Sequence, residues 1–157
     1  MADQADVVIS PKDFFDHWAG HRRLTRRVIE AFPEDKLFTF SVGGMRPFGV
    51  LALEFLTMAE PTLRGIMTGA WDSDMSRDPM SKAELLSKWD ESTKQIEELT
   101  STFDPASFYK TYKAFGQWEG PGHWLVFYVV DNEIHHRGQG YVYLRTLGIE
   151  PPHFWER

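Results

Sequence analysis

The sequence predicts an all-α protein built as a four-helix bundle. Four stretches repeat apolar residues at alternating spacings of three and four, which places them along one face of a helix. Breaks rich in proline, glycine and serine separate those stretches. A chain of 157 residues, 42% of them hydrophobic, is long enough for one buried core and is expected to form one domain over residues 1–157.

The first helix follows Ser10-Pro11, a cap with proline in the first turn. Phe14, Trp18, His21, Thr25, Val28 and Phe32 form its inward stripe, and it ends before Pro33. The second begins near Pro47 with the stripe Leu51, Phe55, Met58, Thr62 and Ile66, widened by Phe48, Val50 and Leu53. Pro61 lies inside that pattern and removes a backbone donor, so a kink or break is expected there. The third opens on Ser81-Lys82-Ala83-Glu84, a capping box, and continues through Leu85, Trp89, Ser92, Ile96 and Leu99. The fourth follows Gly120-Pro121-Gly122 and runs to Gly148, a C-terminal cap. Between Glu34 and Met45 a short extended piece is expected around Phe38-Thr39-Phe40. The connection from Phe103 to Gly122 has room for a short β-hairpin.

Composition excludes several classes of function. A net charge of -6 does not suit a phosphate-tracking surface, so no nucleic-acid partner is expected. The run His21-Arg22-Arg23-Leu24-Thr25-Arg26-Arg27 spreads its arginines around a helix and reads as a solvated surface. With no cysteine there are no disulfides, zinc-thiolate sites or thiol nucleophiles. The acidic start Met1-Ala2-Asp3-Gln4-Ala5-Asp6 lacks the basic region of a signal peptide. The longest apolar run, Trp124 to Val130, is too short to span a bilayer. A cytoplasmic protein without a membrane partner is therefore expected. No phosphate-binding loop, dinucleotide fingerprint or nucleophile elbow occurs, and Gly43-Gly44 lacks the context for one. No organic cofactor is implied.

The fourth helix carries the informative residues. Asn132, His136, Gln139 and Tyr143 are spaced four, three and four, and so share a face with Leu125 and with Tyr128 or Val129. Burying such polar groups costs roughly 1–3 kcal/mol each unless they are paired. A hydrogen-bond network, water, a ligand or a metal must satisfy them. Gly138 and Gly140 each cost about 1 kcal/mol relative to alanine within a helix, and close approach of a helix or ligand would offset that. Glu54 interrupts the second stripe between Leu53 and Phe55. If the second and fourth stripes face each other, Glu54 reaches Asn132 and His136.

The run His135-His136-Arg137-Gly138-Gln139, followed by Tyr143-Leu144-Arg145, Gly148, Pro151 and Pro152, resembles the last-helix signature of DinB/YfiT-like proteins. Arg46-Pro47-Phe48-Gly49-Val50-Leu51-Ala52-Leu53-Glu54 is similar to the start of their second helix. That resemblance implies an up-down-down-up four-helix bundle with a long crossover, assembled as a homodimer. It also implies a divalent metal on three histidines, one from the second helix and two spaced four apart on the fourth. Here those positions fall on Glu54, Asn132 and His136, so two of the three are not histidine. Carboxylate, amide oxygen and imidazole remain ligands, for a weaker site leaning toward manganese or magnesium, with nickel and zinc also compatible. The competing expectation is a metal-free network in which Glu54 and Asn132 hydrogen-bond His136.

Three functions are weighed against the resemblance. One is a divalent-metal-dependent enzyme of the thiol S-transferase or isomerase type, using a low-molecular-weight thiol. Another is a non-catalytic, small-molecule-binding or stress-associated dimer with a degenerate metal site. The third is a plain dimeric scaffold whose polar core only specifies packing. Among the remaining residues, His135 is expected at the bundle edge or a subunit contact, and His21 as a satisfied core histidine. His123 and Glu119 are placed at the pocket mouth, and His153 has no role. The aromatic tail Phe154-Trp155 is expected to dock on the bundle.

Overall fold

A computed structural model describes residues 8–73 and 75–157; the acidic start Met1–Asp6 lies outside them. Among the described residues four α-helices form: α1 (Pro11–Ala31), α2 (Phe48–Thr68), α3 (Lys82–Ser101) and α4 (Gly122–Thr146). Between α3 and α4 lie a 3-10 turn (Pro105–Phe108) and two strands, β1 (Thr111–Ala114) and β2 (Trp118–Pro121).

Local chemistry sets the helix ends. Ser10 Oγ accepts from the Asp13 N–H at 3.1 Å, with Pro11 in the first turn of α1. Phe32 is extended because Pro33 disfavours helical backbone in the residue before it. In the capping box of α3, Ser81 Oγ accepts from the Glu84 N–H at 3.2 Å. After α4, Gly148 adopts φ 75, its N–H bonds Arg145 O at 3.0 Å and the Ile149 N–H bonds Leu144 O at 2.9 Å. These two bonds satisfy orphan carbonyls of the last turn, as a left-handed glycine cap does.

One local expectation is narrowed and another is corrected. Helix α2 is not broken at Pro61 but runs through it to Thr68. The proline is buried among core residues, and packing outweighs one lost backbone bond. The piece around Phe38–Phe40 is not extended. It winds into turns, with Leu37 N–H to Pro33 O at 3.1 Å and Phe40 N–H to Lys36 O at 2.9 Å. Having no neighbouring strand, this backbone satisfies itself locally, and Leu37 caps one end of the core with no exposed surface. The hairpin does form, in the register Thr111↔Pro121 to Ala114↔Trp118. Its turn places Phe115 at φ 51 and Gly116 at φ 69, closed by Gln117 N–H to Ala114 O at 3.0 Å.

Side-chain pairs fix the topology. Arg26–Asp90 and Phe15–Phe103 run α1 antiparallel to α3. Phe14–Phe127 and Thr25–Glu133 run α1 parallel to α4. Phe48 against Gly140 and Glu54 against Asn132 run α2 antiparallel to α4. Phe55 meets Trp89 in one core layer, while Leu63, Ile66 and Ile96 share the other, so α2 and α3 are parallel. The order is up-down-down-up, with a crossover between α2 and α3, as expected.

The core has two apolar layers. One gathers Phe32, Leu37, Phe48, Leu51, Phe55, Leu85, Trp89 and Leu144. The other gathers Phe14, Trp18, Leu63, Ile66, Ile96, Val126 and Val130 at the hairpin end. Between them lies a layer of buried polar side chains: His21, Arg22 and Thr25 from α1, Ser92 from α3, and Glu133 and Arg137 from α4. The expected inward stripes of α1 and α3 hold, apart from half-buried Leu99. Of Gly138 and Gly140, Gly140 serves a close approach and Gly138 does not: a Cβ on Gly140 would lie 2.6 Å from the Phe48 ring, whereas one on Gly138 meets nothing within 4 Å.

Candidate functional site

The antiparallel seam between α2 and α4 brings Glu54, Asn132 and His136 together. Asn132 Nδ2 donates to Glu54 Oε1 at 3.1 Å, and His136 Nε2 faces the same oxygen at 3.6 Å. The Arg46 guanidinium, from the segment before α2, donates to Glu54 Oε2. Gln139 Nε2 donates to His136 Nδ1 at 3.1 Å, and the Phe55 ring lies nearly parallel to the imidazole at 6.2 Å. Tyr143 is buried, and its hydroxyl donates to Arg46 O at 3.0 Å. The site is half-buried and lies on the flank of the bundle, not at its centre.

Electrostatics follow from this geometry. Burial works to raise the Glu54 pKa, but the hydrogen bonds from Arg46 and Asn132 outweigh it and hold the carboxyl below its usual value. Burial lowers the His136 pKa; the Glu54 carboxylate works against that and Arg46 reinforces it. His136 is therefore neutral near pH 7.

Whether a divalent ion fits here depends on where the lone pairs point. A resident ion needs several to converge at about 2.0–2.6 Å. Each Glu54 oxygen instead accepts an N–H, one from a guanidinium and one from an amide. Asn132 turns its NH2, not its oxygen, to the carboxylate. His136 uses its Nδ1 lone pair on Gln139, which leaves Nε2 as the N–H of the neutral ring. The groups gathered around the carboxylate are donors, and this set does not fit a resident divalent ion. It is a hydrogen-bond network with Arg46 as its positive charge.

Beside the seam, a cavity of about 440 Å³ opens between α2, α4 and the hairpin. Glu54, Met58 and Thr62 line it from α2, and Trp124, Leu125 and Tyr128 from α4. Phe115, Gln117 and Trp118 close it from the hairpin. Arg77, on the α2–α3 connection, also lines it and donates to Thr57 Oγ1 at 3.1 Å. Phe115 holds its left-handed backbone with its ring against Trp71 and Trp118. A non-glycine residue bears that strain only where packing fixes it.

The polar layer at the bundle centre was not legible as such in the sequence. Thr25 Oγ1 donates to Glu133 Oε1 at 2.5 Å and accepts from Arg137 Nη1 at 3.1 Å. Arg22 faces Glu133 at 4.0 Å, spans to Thr93 Oγ1 at 2.9 Å, and lies 4.1 Å above the Trp89 ring. The reading of Arg22 as a solvated helix residue is therefore wrong, because it is 1% exposed. Its acid comes from another helix, a pairing no local window shows. Glu133 and Arg137, four apart on the stripe Val126, Val129, Glu133, Arg137, Gly140, Leu144, were the available signal.

His21 is a satisfied core histidine and does not join the seam. Arg137 Nη2 lies 2.9 Å from its Nδ1, while His17 Nε2 and Arg157 Nη1 lie 3.1 and 3.0 Å from its Nε2. Burial first, then Arg137, lowers its pKa from 6.5 to about 3. Its folded pKa is thus below its unfolded one, so unfolding takes up a proton as pH falls from 6.5 toward 3, and stability drops in that window. His21→Asn keeps an acceptor for Arg137 but does not titrate. It is expected to take up about one proton fewer on unfolding near pH 5, read from the pH dependence of urea denaturation. An unchanged slope would contradict this origin.

Other assignments are corrected by position. His123 binds Phe108 O at 2.8 Å, and neither it nor Glu119 lines the cavity, whose rim carries Trp118 and Trp124 instead. His135 is exposed on the outer face of α4, at the bundle edge. The tail does not dock through its aromatics: Phe154 and Trp155 are 64% and 63% exposed, and Trp155 stacks on His153. An ion pair from Arg27 to Glu156 at 3.2 Å and a contact of Arg157 with the neutral His21 ring anchor it instead. Among the described residues no helix is long and apolar enough to cross a membrane.

The topology defines a class, the up-down-down-up four-helix bundle, and its fold is similar to that of DinB-like proteins. A crystal structure of a DinB-like protein from Bacillus cereus matches with a TM-score of 0.75 at 18% identity, over 92% of this chain and 97% of that one. One from Bacillus subtilis matches with a TM-score of 0.73 at 18% identity, over 90% and 97%. The DinB family model matches residues 111–157, from the hairpin to the tail. Among curated proteins nothing matches. The chain is thus similar to DinB-like proteins in fold over nearly its whole length, and to the DinB family model over residues 111–157.

Proposed function

We propose that this protein binds a small organic molecule, non-catalytically, in the cavity between α2, α4 and the hairpin. The observation that carries this reading is the lining. Aromatic side chains Phe115, Trp118, Trp124 and Tyr128 surround an apolar wall, with Glu54, Thr57, Thr62, Arg77 and Gln117 as its polar residues. Ligand sites have this make-up, an apolar body with a small number of orienting polar groups. The occupant that suits it has an apolar body and polar ends of both signs. The metal-dependent S-transferase reading needs an ion on Glu54, Asn132 and His136, and the donors gathered there favour the binding reading.

A fluorescent probe tests this directly. Anilinonaphthalene sulfonate is expected to bind one per chain, saturably, with energy transfer from the lining tryptophans. Met58→Trp fills the cavity from α2 at a half-buried position and is expected to weaken binding at least tenfold with an unchanged fold. Equal binding by M58W, or no saturable binding by the wild type, would overturn the cavity as the site.

A further inference from the structure

We propose that Arg46 is the built-in cation of the α2–α4 seam: its guanidinium stands on Glu54 in place of a divalent ion, and removing it uncovers a cation site. This inference concerns the seam, not the cavity, and survives if the cavity binds nothing.

Three observations carry it. The first is charge balance. The Glu54 side chain is only 17% exposed, and a carboxylate withdrawn from water that far needs a positive partner. Arg46 supplies it, reaching eight residues forward along the chain to Oε2. The second is anchoring. The backbone of Arg46 is held from the opposite helix by the Tyr143 hydroxyl, at 3.0 Å from Arg46 O. The guanidinium is thus presented to the seam by a fixed support. The third is what would remain without it. Glu54 Oε1 and His136 Nε2 face each other at 3.6 Å. Two donors each about 2.0–2.1 Å from one tetrahedral ion lie about 3.3–3.5 Å apart, so this pair nearly has the bite already. Asn132 and Gln139, neutral amides, can reorient once the guanidinium leaves. One monovalent, hydrogen-bonding cation and one divalent, lone-pair-seeking cation therefore compete for a single carboxylate, and Arg46 holds it intramolecularly.

Zinc titration by calorimetry, with no ligand other than the metal, tests this on four chains. The wild type is expected to show no saturable seam binding in the micromolar range. Arg46→Met keeps the apolar length of the side chain but not its charge, and is expected to bind one zinc at least tenfold more tightly. R46M/E54Q is expected to lose that gain, which separates the seam from the histidines elsewhere on the surface. R46M/N132H adds an imidazole four residues before His136 and is expected to gain at least a further tenfold. Circular dichroism of each variant checks the fold, and should R46M fail to fold, Arg46→Gln replaces it. The proposal is overturned if the wild type binds one zinc as tightly as R46M. It is also overturned if R46M/E54Q keeps the gain, or if R46M gains no affinity.

Discussion

Glu133→Ala is expected to cost about 3–5 kcal/mol of folding stability, the range for removing one partner of a buried ion pair. Glu133 is 1% exposed and faces two guanidinium groups, Arg22 and Arg137, each at 4.0 Å. Both cations are themselves buried, and burial already pulls the Arg22 pKa down to about 10 against the raising effect of Glu133. Without the acid, two positive charges remain in the interior with no countercharge inside the layer, and Thr25 is left with the His21 carbonyl, at 3.1 Å, as its acceptor. Glu133→Gln keeps an acceptor for Thr25 and is expected to fall between wild type and alanine. Urea denaturation of the three chains measures the order. A loss below about 1 kcal/mol in E133A would mean that the layer is not held by its charges.

Trp89→Ala is expected to cost a similar amount, about 3–5 kcal/mol, for a different reason. The side chain is 1% exposed and fills the core beside Phe55. Its indole N–H donates to Arg22 O at 3.2 Å, and its ring lies 4.1 Å beneath the Arg22 guanidinium. Truncation leaves a cavity, removes a cation–π contact and unseats the arginine that faces Glu133. In a chain of this size the cost corresponds to a fall of at least about 6 °C in Tm. Trp89→Phe, which fills most of the volume but donates no hydrogen bond, should lose less. A smaller fall for alanine than for phenylalanine would contradict this packing.

How much of this was legible in the sequence differs by helix. In α1 the stripe Phe14, Trp18, His21, Thr25, Val28 and Phe32 is buried at every position, because period and burial coincide there. In α4 they do not. Its outer face carries Trp124, Phe127, Tyr128 and Val142, while its inner face carries Glu133 and Arg137. Hydrophobicity is thus partly inverted, and a stripe drawn through Asn132, His136 and Gln139 follows the seam with α2, not the bundle centre. The meeting of Glu54, Asn132 and His136 was legible, since it needs only two facing helices in antiparallel order. The part of Arg46 was not: it precedes its helix, and only the folded path of residues 45–54 turns its side chain onto Glu54. Arg22 escaped for a related reason, its acid lying on another helix. Pro61 shows the reverse case, a true local disruption that tertiary packing overrides.

The α2–α4 seam carries its own positive charge in Arg46, and the donors around Glu54 do not fit a resident divalent ion. Elemental analysis of the intact protein, purified without chelator and dialysed against metal-free buffer, tests it most directly. The expected result is far less than one zinc, nickel, manganese or magnesium per chain. One such ion retained per chain, and lost on Glu54→Gln, would contradict it.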